Sequence, residues 1–184
     1  MPQTPQYCNL SPAMNLLVAI LAEHSKVQTN RIIKWIGQDQ QRFNELFLLV
    51  MSDEIIIAQR AAWPMNYVVI AHPSLIQKHF PKLLKRLKYP GVHDAVKRNA
   101  LRLMEEISIP AKFHGDVMNL CFDFITDPKE KPAIKAFSLT VLQKLSHHYP
   151  DIKNELKLVI ETQWENESAA FRSRARKILK ELSS

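Results

Sequence analysis

The sequence predicts an all-α fold, an α-α superhelix of about four to five antiparallel helix pairs stacked side by side. Three observations predict it. Apolar residues recur at helical spacing along most of the chain, one pattern returns after 38 positions, and strand and glycine signals are scarce.

The repeat is clearest in two stretches. Residues 95–107 read AVKRNALRLMEEI and residues 133–145 read AIKAFSLTVLQKL, 38 positions apart. Ala58, Val96 and Ile134 head one column, and with one residue deleted the series continues at Phe171. Four more columns follow: Ala62, Ala100, Ser138 and Ala175; Met65, Leu103, Val141 and Ile178; Asn66, Met104, Leu142 and Leu179; Val69, Ile107, Leu145 and Leu182. These offsets share one face of a helix, and the small residue in the second column lets a neighbouring helix come close. First helices are expected to begin near Glu54, Asp94 and Pro132.

A second helix completes each unit. Phe80, Met118 and Leu156 align, as do Leu83, Cys121 and Val159, and Leu84, Phe122 and Ile160. The expected spans are near 74–88, 113–127 and 151–163, preceded by connections carrying Pro73, Pro110 and Pro150. Asp127-Pro128-Lys129-Glu130 reads as a capped helix start, with Glu130 reaching back. Pro81 is expected to kink the first of the second helices. A helix pair this thin cannot bury its own apolar face, so neighbours must stack.

The N-terminal third is less regular, with helices expected near 12–24, 26–37 and 39–51 and with Trp35 and Phe47 at or near the core. Tyr67-Val68-Val69-Ile70 is β-branched but continues a helical frame that starts at Ile55. The whole chain, 1–184, reads as a single solenoid domain. Residues 1–51 form irregular cap helices, 52–89, 90–127 and 128–165 are repeats, and 166–184 is a C-terminal cap helix.

Composition narrows the function. Hydrophobic residues make up 46% and charged residues 23%, ordinary for a globular protein. Three glycines are too few for a phosphate-cradling loop. Cys8 and Cys121 form no CxxC and no disulfide framework. Met14 to Ala22 (MNLLVAILA) has no basic residue before it and is too short to span a bilayer, so it reads as a core helix. The expected compartment is the cytoplasm, with no membrane contact.

The net charge of +7 is unevenly placed. Residues 76–102 carry eight basic side chains against one acidic, and residues 103–167 carry seven against eleven. On the helix near 74–88, Lys78, Lys82 and Lys85 fall opposite the apolar side. A shift of 38 turns Lys78 into Asp116 and then Asn154, and Lys85 into Asp123 and then Glu161. The stripe changes sign one repeat later, whereas a nucleic-acid groove needs positive charge that continues along the phosphates. Lys78, Lys82 and Lys85 are therefore expected to meet acidic groups of a protein partner, and Asp116, Asp123 and Glu161 basic ones. The C-terminal cluster Arg172, Arg174, Arg176, Lys177 and Lys180 suits a polar end cap.

No catalytic motif is found, and neither a cofactor nor a metal is expected. HExxH and GxSxG are both missing. Among His72, His79, His114, His147 and His148, no pair sits at ligand spacing beside a carboxylate. His114 aligns with Ile76 and Ile152 and reads as a packing residue; Cys121 falls in a core column; Trp63 aligns with Leu101 and Leu139.

The first-helix columns resemble HEAT and armadillo-like repeats over roughly residues 52–184. The resemblance rests on Val96-Lys97 with Ala100 and Ile134-Lys135 with Ser138: a β-branched residue, a basic residue and a small residue. The tetratricopeptide pattern of Trp, Gly and Tyr is missing. The resemblance implies a non-catalytic scaffold for protein partners on a concave face lined by second helices, with no transferable catalytic residues. The alternative of the same build is a nucleic-acid-binding or DNA-repair module like the HEAT-like glycosylases that remove alkylated bases. Such a module needs aromatic residues and a carboxylate in a basic concavity, for which Trp63, Asp53 and Arg60 are the available set. Nothing resembles the Ser-rich loop of the all-helical lyases of the fumarase and adenylosuccinate lyase type.

Overall fold

The structure, a computed structural model, describes residues 14–182. Cys8, positions 12 and 13 of the first expected helix, and the last two residues lie outside the described residues. Within them the chain is helical without strands: α1 (Leu16–Ala22), α2 (Lys26–Ile36), α3 (Gln40–Val50), α4 (Ile55–Ala71), α5 (Phe80–Leu87), α6 (Asp94–Glu106), α7 (His114–Thr126), α8 (Pro132–Ser146), α9 (Ile152–Gln163) and α10 (Ala169–Leu182).

Local chemistry sets the boundaries. Asn15 and Ser25 each accept a backbone N–H three residues on at 3.1 Å, capping α1 and α2. Asp39 accepts from Gln41 and Arg42 at the start of α3. Gly37 ends α2 and Gly91 turns the chain between α5 and α6, at φ 51° and 85°, where a Cβ would be strained. The first helices start where the repeat places them, α4 just after Glu54, α6 at Asp94 and α8 at Pro132.

The columns are the core. Ala58, Val96, Ile134 and Phe171 are buried, as are Ala62, Ala100, Ser138 and Ala175, and Met65, Leu103, Val141 and Ile178. These residues stack α4 on α6, α6 on α8 and α8 on α10, the closest helix contacts along the array together with α3–α4 and α7–α8. The second-row helices α3, α5, α7 and α9 touch one another far less, which leaves grooves open between them.

The Lys after each β-branched residue clamps the next unit. Lys97 pairs with Glu130 at 2.6 Å, and Lys135 pairs with Glu167. Each Glu stands two residues before the next first helix begins. The α4–α6 junction has Gln59 and Val92 at the matching places, and there Asn66 Nδ2 donates to Asn99 O at 3.0 Å.

Three local expectations are corrected. Asp127–Glu130 does not start a helix: Asp127 ends α7 and accepts from Lys129 N–H, while Glu130 is committed to Lys97 and Lys131 N–H. The proline of the first helical turn is Pro132. Residues Pro73–His79 form a 3-10 helix that passes into α5 at Phe80, and Pro81 lies in the first turn of α5, where its missing N–H costs nothing. Finally, α7 sits one residue out of the 38-residue frame. Its buried face is Val117, Leu120, Cys121 and Phe124, which matches Phe80, Leu83, Leu84 and Leu87 at a spacing of 37. Met118 and Phe122 are only partly covered. Among the described residues no helix is long and apolar enough to cross a membrane.

Candidate functional site

Lys78, Lys82 and Lys85 are all exposed, Lys78 on the 3-10 turn and the others on α5. Their cationic neighbours are engaged. Arg86 donates to Asp53 Oδ1 and to Ser52 O, both at 3.0 Å, and Lys88 pairs with Asp116 at 2.9 Å. Among the described residues, Lys78, Lys82 and Lys85 have no ion-pair partner.

The 37-residue spacing changes what lies beside them. Lys78 corresponds to Gly115, Lys82 to Asn119 and Lys85 to Phe122, so the predicted inversion onto Asp116 and Asp123 is displaced by one residue. Asp116, Asp123 and Glu161 are nonetheless exposed. Asp116 is paired with Lys88, and Glu161 faces Lys157 one turn away at 3.9 Å. The structure brings Lys82 and Lys85 onto one groove, but it does not gather the three acidic residues there.

That groove, about 470 Å³, runs between α3 and α5. One wall is Asn44, Phe47, Leu48 and Met51; the other is His79, Lys82, Lys85, Arg86 and the exposed Tyr89. Leu48 is 68% exposed. The His79 ring stacks on Phe47 with centroids 4.3 Å apart, and its Nε2–H donates to Asn44 Oδ1 at 2.7 Å. Burial, then the nearby Lys78 and Lys82 charges, hold His79 below the usual histidine range. Sequence reasoning found the lysines but missed Leu48, Met51 and Tyr89. The available signal was that Leu48 falls off the face formed by Phe43, Leu46, Phe47 and Val50.

A second cleft, about 280 Å³, lies over α6 on the first-helix row. Arg98 and Arg102, one turn apart and both exposed, sit between Trp63 with His24 on one side and Phe137 on the other. Among the described residues neither guanidinium has a carboxylate partner; Arg102 lies over the Tyr67 ring. The trio Trp63, Asp53 and Arg60 does not converge. Asp53 turns to Arg86, Arg60 donates to Leu21 O at 2.7 Å, and Trp63 meets His24 edge-on.

His114 and Cys121 are both held in the packing. His114 is buried, its Nε2–H donating to Ile109 O at 2.8 Å while Nδ1 faces the Tyr149 hydroxyl at 3.1 Å. Cys121 is fully buried, and burial pushes its thiol up to about 12. Among the described residues no cluster of His, Cys, Asp and Glu could hold a metal ion.

Compared with known proteins, residues 19–182 match the family model described as HEAT repeat domain. No curated protein and no solved structure matches the chain.

Proposed function

Because the chain belongs to the HEAT repeat domain family, we propose that it is a non-catalytic interaction scaffold that captures an acidic protein segment on its second-helix face. The supporting observation is the unneutralised run of Lys78, Lys82 and Lys85 beside two cations that are already paired. Exposed ammonium groups without local counter-charges attract and orient an anionic partner, which raises the association rate and selects against basic ones. Asp116, Asp123 and Glu161, farther along the same row, are assigned to basic groups of that partner.

The test is fluorescence anisotropy with a panel of acidic peptides and matched basic peptides. Acidic members bind the wild type, and Lys78→Glu, Lys82→Glu and Lys85→Glu together weaken them at least tenfold. Equal binding of both panels overturns the reading.

A second reading, nucleic-acid binding, is favoured by Arg98 and Arg102 between aromatic rings, a pairing that suits phosphates beside stacked bases. Retention on heparin across a salt series separates the two. A log–log slope equivalent to several phosphates, lost in Arg98→Glu with Arg102→Glu, supports nucleic acid; weak retention that vanishes in modest salt supports the protein scaffold.

A further inference from the structure

Resting on the acidic-segment reading, we infer that the groove between α3 and α5 seats an amphipathic acidic α-helix of a partner protein, apolar residues inward and carboxylates along the α5 edge. The walls have the right periodicity. Along α3 and its cap the lining positions are 44, 47, 48 and 51, and on the facing wall 79, 82, 85, 86 and 89, offsets of 0, 3, 4 and 7 and of 0, 3, 6, 7 and 10 that keep to one side of each wall. Two such walls flanking a channel can receive the ridge of a third helix.

The chemistry of the channel is asymmetric. Its floor is Phe47 with His79 stacked on it, and its open apolar surface is Leu48, Met51 and Tyr89, the last 61% exposed. The α5 edge carries Lys82 and Lys85, with Lys78 just before them; Arg86 is already committed to Asp53. The α3 edge carries neutral Asn44 and, one residue on, exposed Glu45. Charge is therefore positive on one rim only. A partner helix fits if its carboxylates flank one side of an apolar stripe, and Glu45 repels the reversed placement. Burying Leu48 and Tyr89 against that stripe supplies the apolar contribution to binding, and the lysine edge supplies orientation. On the other side of Leu48 lies a separate depression lined by Met14, Asn15, Leu16, Leu17, Glu45 and Leu49.

The experiment uses a synthetic peptide of about 15 residues, long enough for a marginal helix, with Leu at positions i, i+4 and i+7 and Glu along one flank. Its partner is a scrambled peptide of the same composition. The full chain is titrated with each by calorimetry, alongside Leu48→Asp and Tyr89→Ser, which alter exposed side chains and leave the core intact. The helical peptide binds the wild type at least tenfold more tightly than the scrambled one. Either substitution, or Lys82→Glu with Lys85→Glu, removes most of that difference. Equal binding of both peptides overturns the helix in the groove while leaving acidic capture standing. Binding of neither peptide, with the acidic panel also silent, removes both. Unchanged affinity in Leu48→Asp overturns the site, and so does self-association of the free protein that Leu48→Asp abolishes, because a second copy then holds the groove.

Discussion

Lys135 and Glu167 form an ion pair with both side chains almost wholly covered, 4% and 6% exposed. Lys135 stands on α8 and Glu167 on the turn that leads into α10, so the pair fixes where the last helix begins. Removing one partner strands a charge in the core. Glu167→Leu or Lys135→Met is expected to cost about 3–5 kcal/mol, whereas Lys135→Met with Glu167→Leu costs far less, because no charge remains to be desolvated. Urea unfolding of the four proteins in a double-mutant cycle measures it. Lys97→Met likewise strands a buried carboxylate, since Glu130 is 4% exposed, although the Lys131 N–H still donates to it.

The first-helix row was legible because one strong constraint writes it. Ala58, Val96, Ile134 and Phe171 are all buried where successive first helices stack, so their column must stay apolar. The second row was less legible because its helices pack on the first row but touch one another little, so the register of α7 follows α8 and sits one residue off the repeat. Glu130 misled for a related reason. A Glu three residues after an Asp fits a cap, but its partner Lys97 lies 33 positions upstream, beyond local pattern. The groove escaped because it joins α3, outside the repeat frame, to α5, inside it.

His79 makes stability depend on pH in a defined direction. Its folded-state value lies below the ordinary 6.5, chiefly through burial. The unfolded chain therefore takes up the proton first as pH falls. The neutral ring contributes stability that is present above 6.5 and lost as pH drops through the folded value. Comparing urea midpoints of wild type and His79→Gln from pH 7.5 to 5.5 isolates it: the difference between them shrinks with acidification. A constant difference removes His79 as the source.

Cys121 is expected to be chemically silent. A thiol held near 12 and fully buried has almost no thiolate at neutral pH and no access to reagent. In a Cys8→Ser background, an aromatic disulfide reagent leaves the native protein unlabelled at pH 8 over minutes and labels one thiol completely in concentrated urea. Rapid labelling of the native protein contradicts the packing of α7 against α8.

Asn66 is the one polar member of its column, aligned with Met104, Leu142 and Leu179, and it is fully buried. Its Nδ2 donates to Asn99 O at 3.0 Å, but its Oδ1 has no partner. The bond is replaceable, because Asn99 O lies inside α6, where the helix itself supplies a donor. The unpartnered Oδ1 is a standing cost of about 1–3 kcal/mol. Leu has the same branching at Cγ as Asn, so Asn66→Leu removes that cost, adds apolar burial and introduces some crowding. The expected net is a stabilisation of about 1 kcal/mol, read as a higher urea midpoint with unchanged slope. Asn66→Asp, of nearly the same shape, places an unpaired charge at the α4–α6 junction and is expected to lower the midpoint strongly. Loss of stability in Asn66→Leu would mean that the bond to Asn99, rather than apolar stacking, holds these two units together.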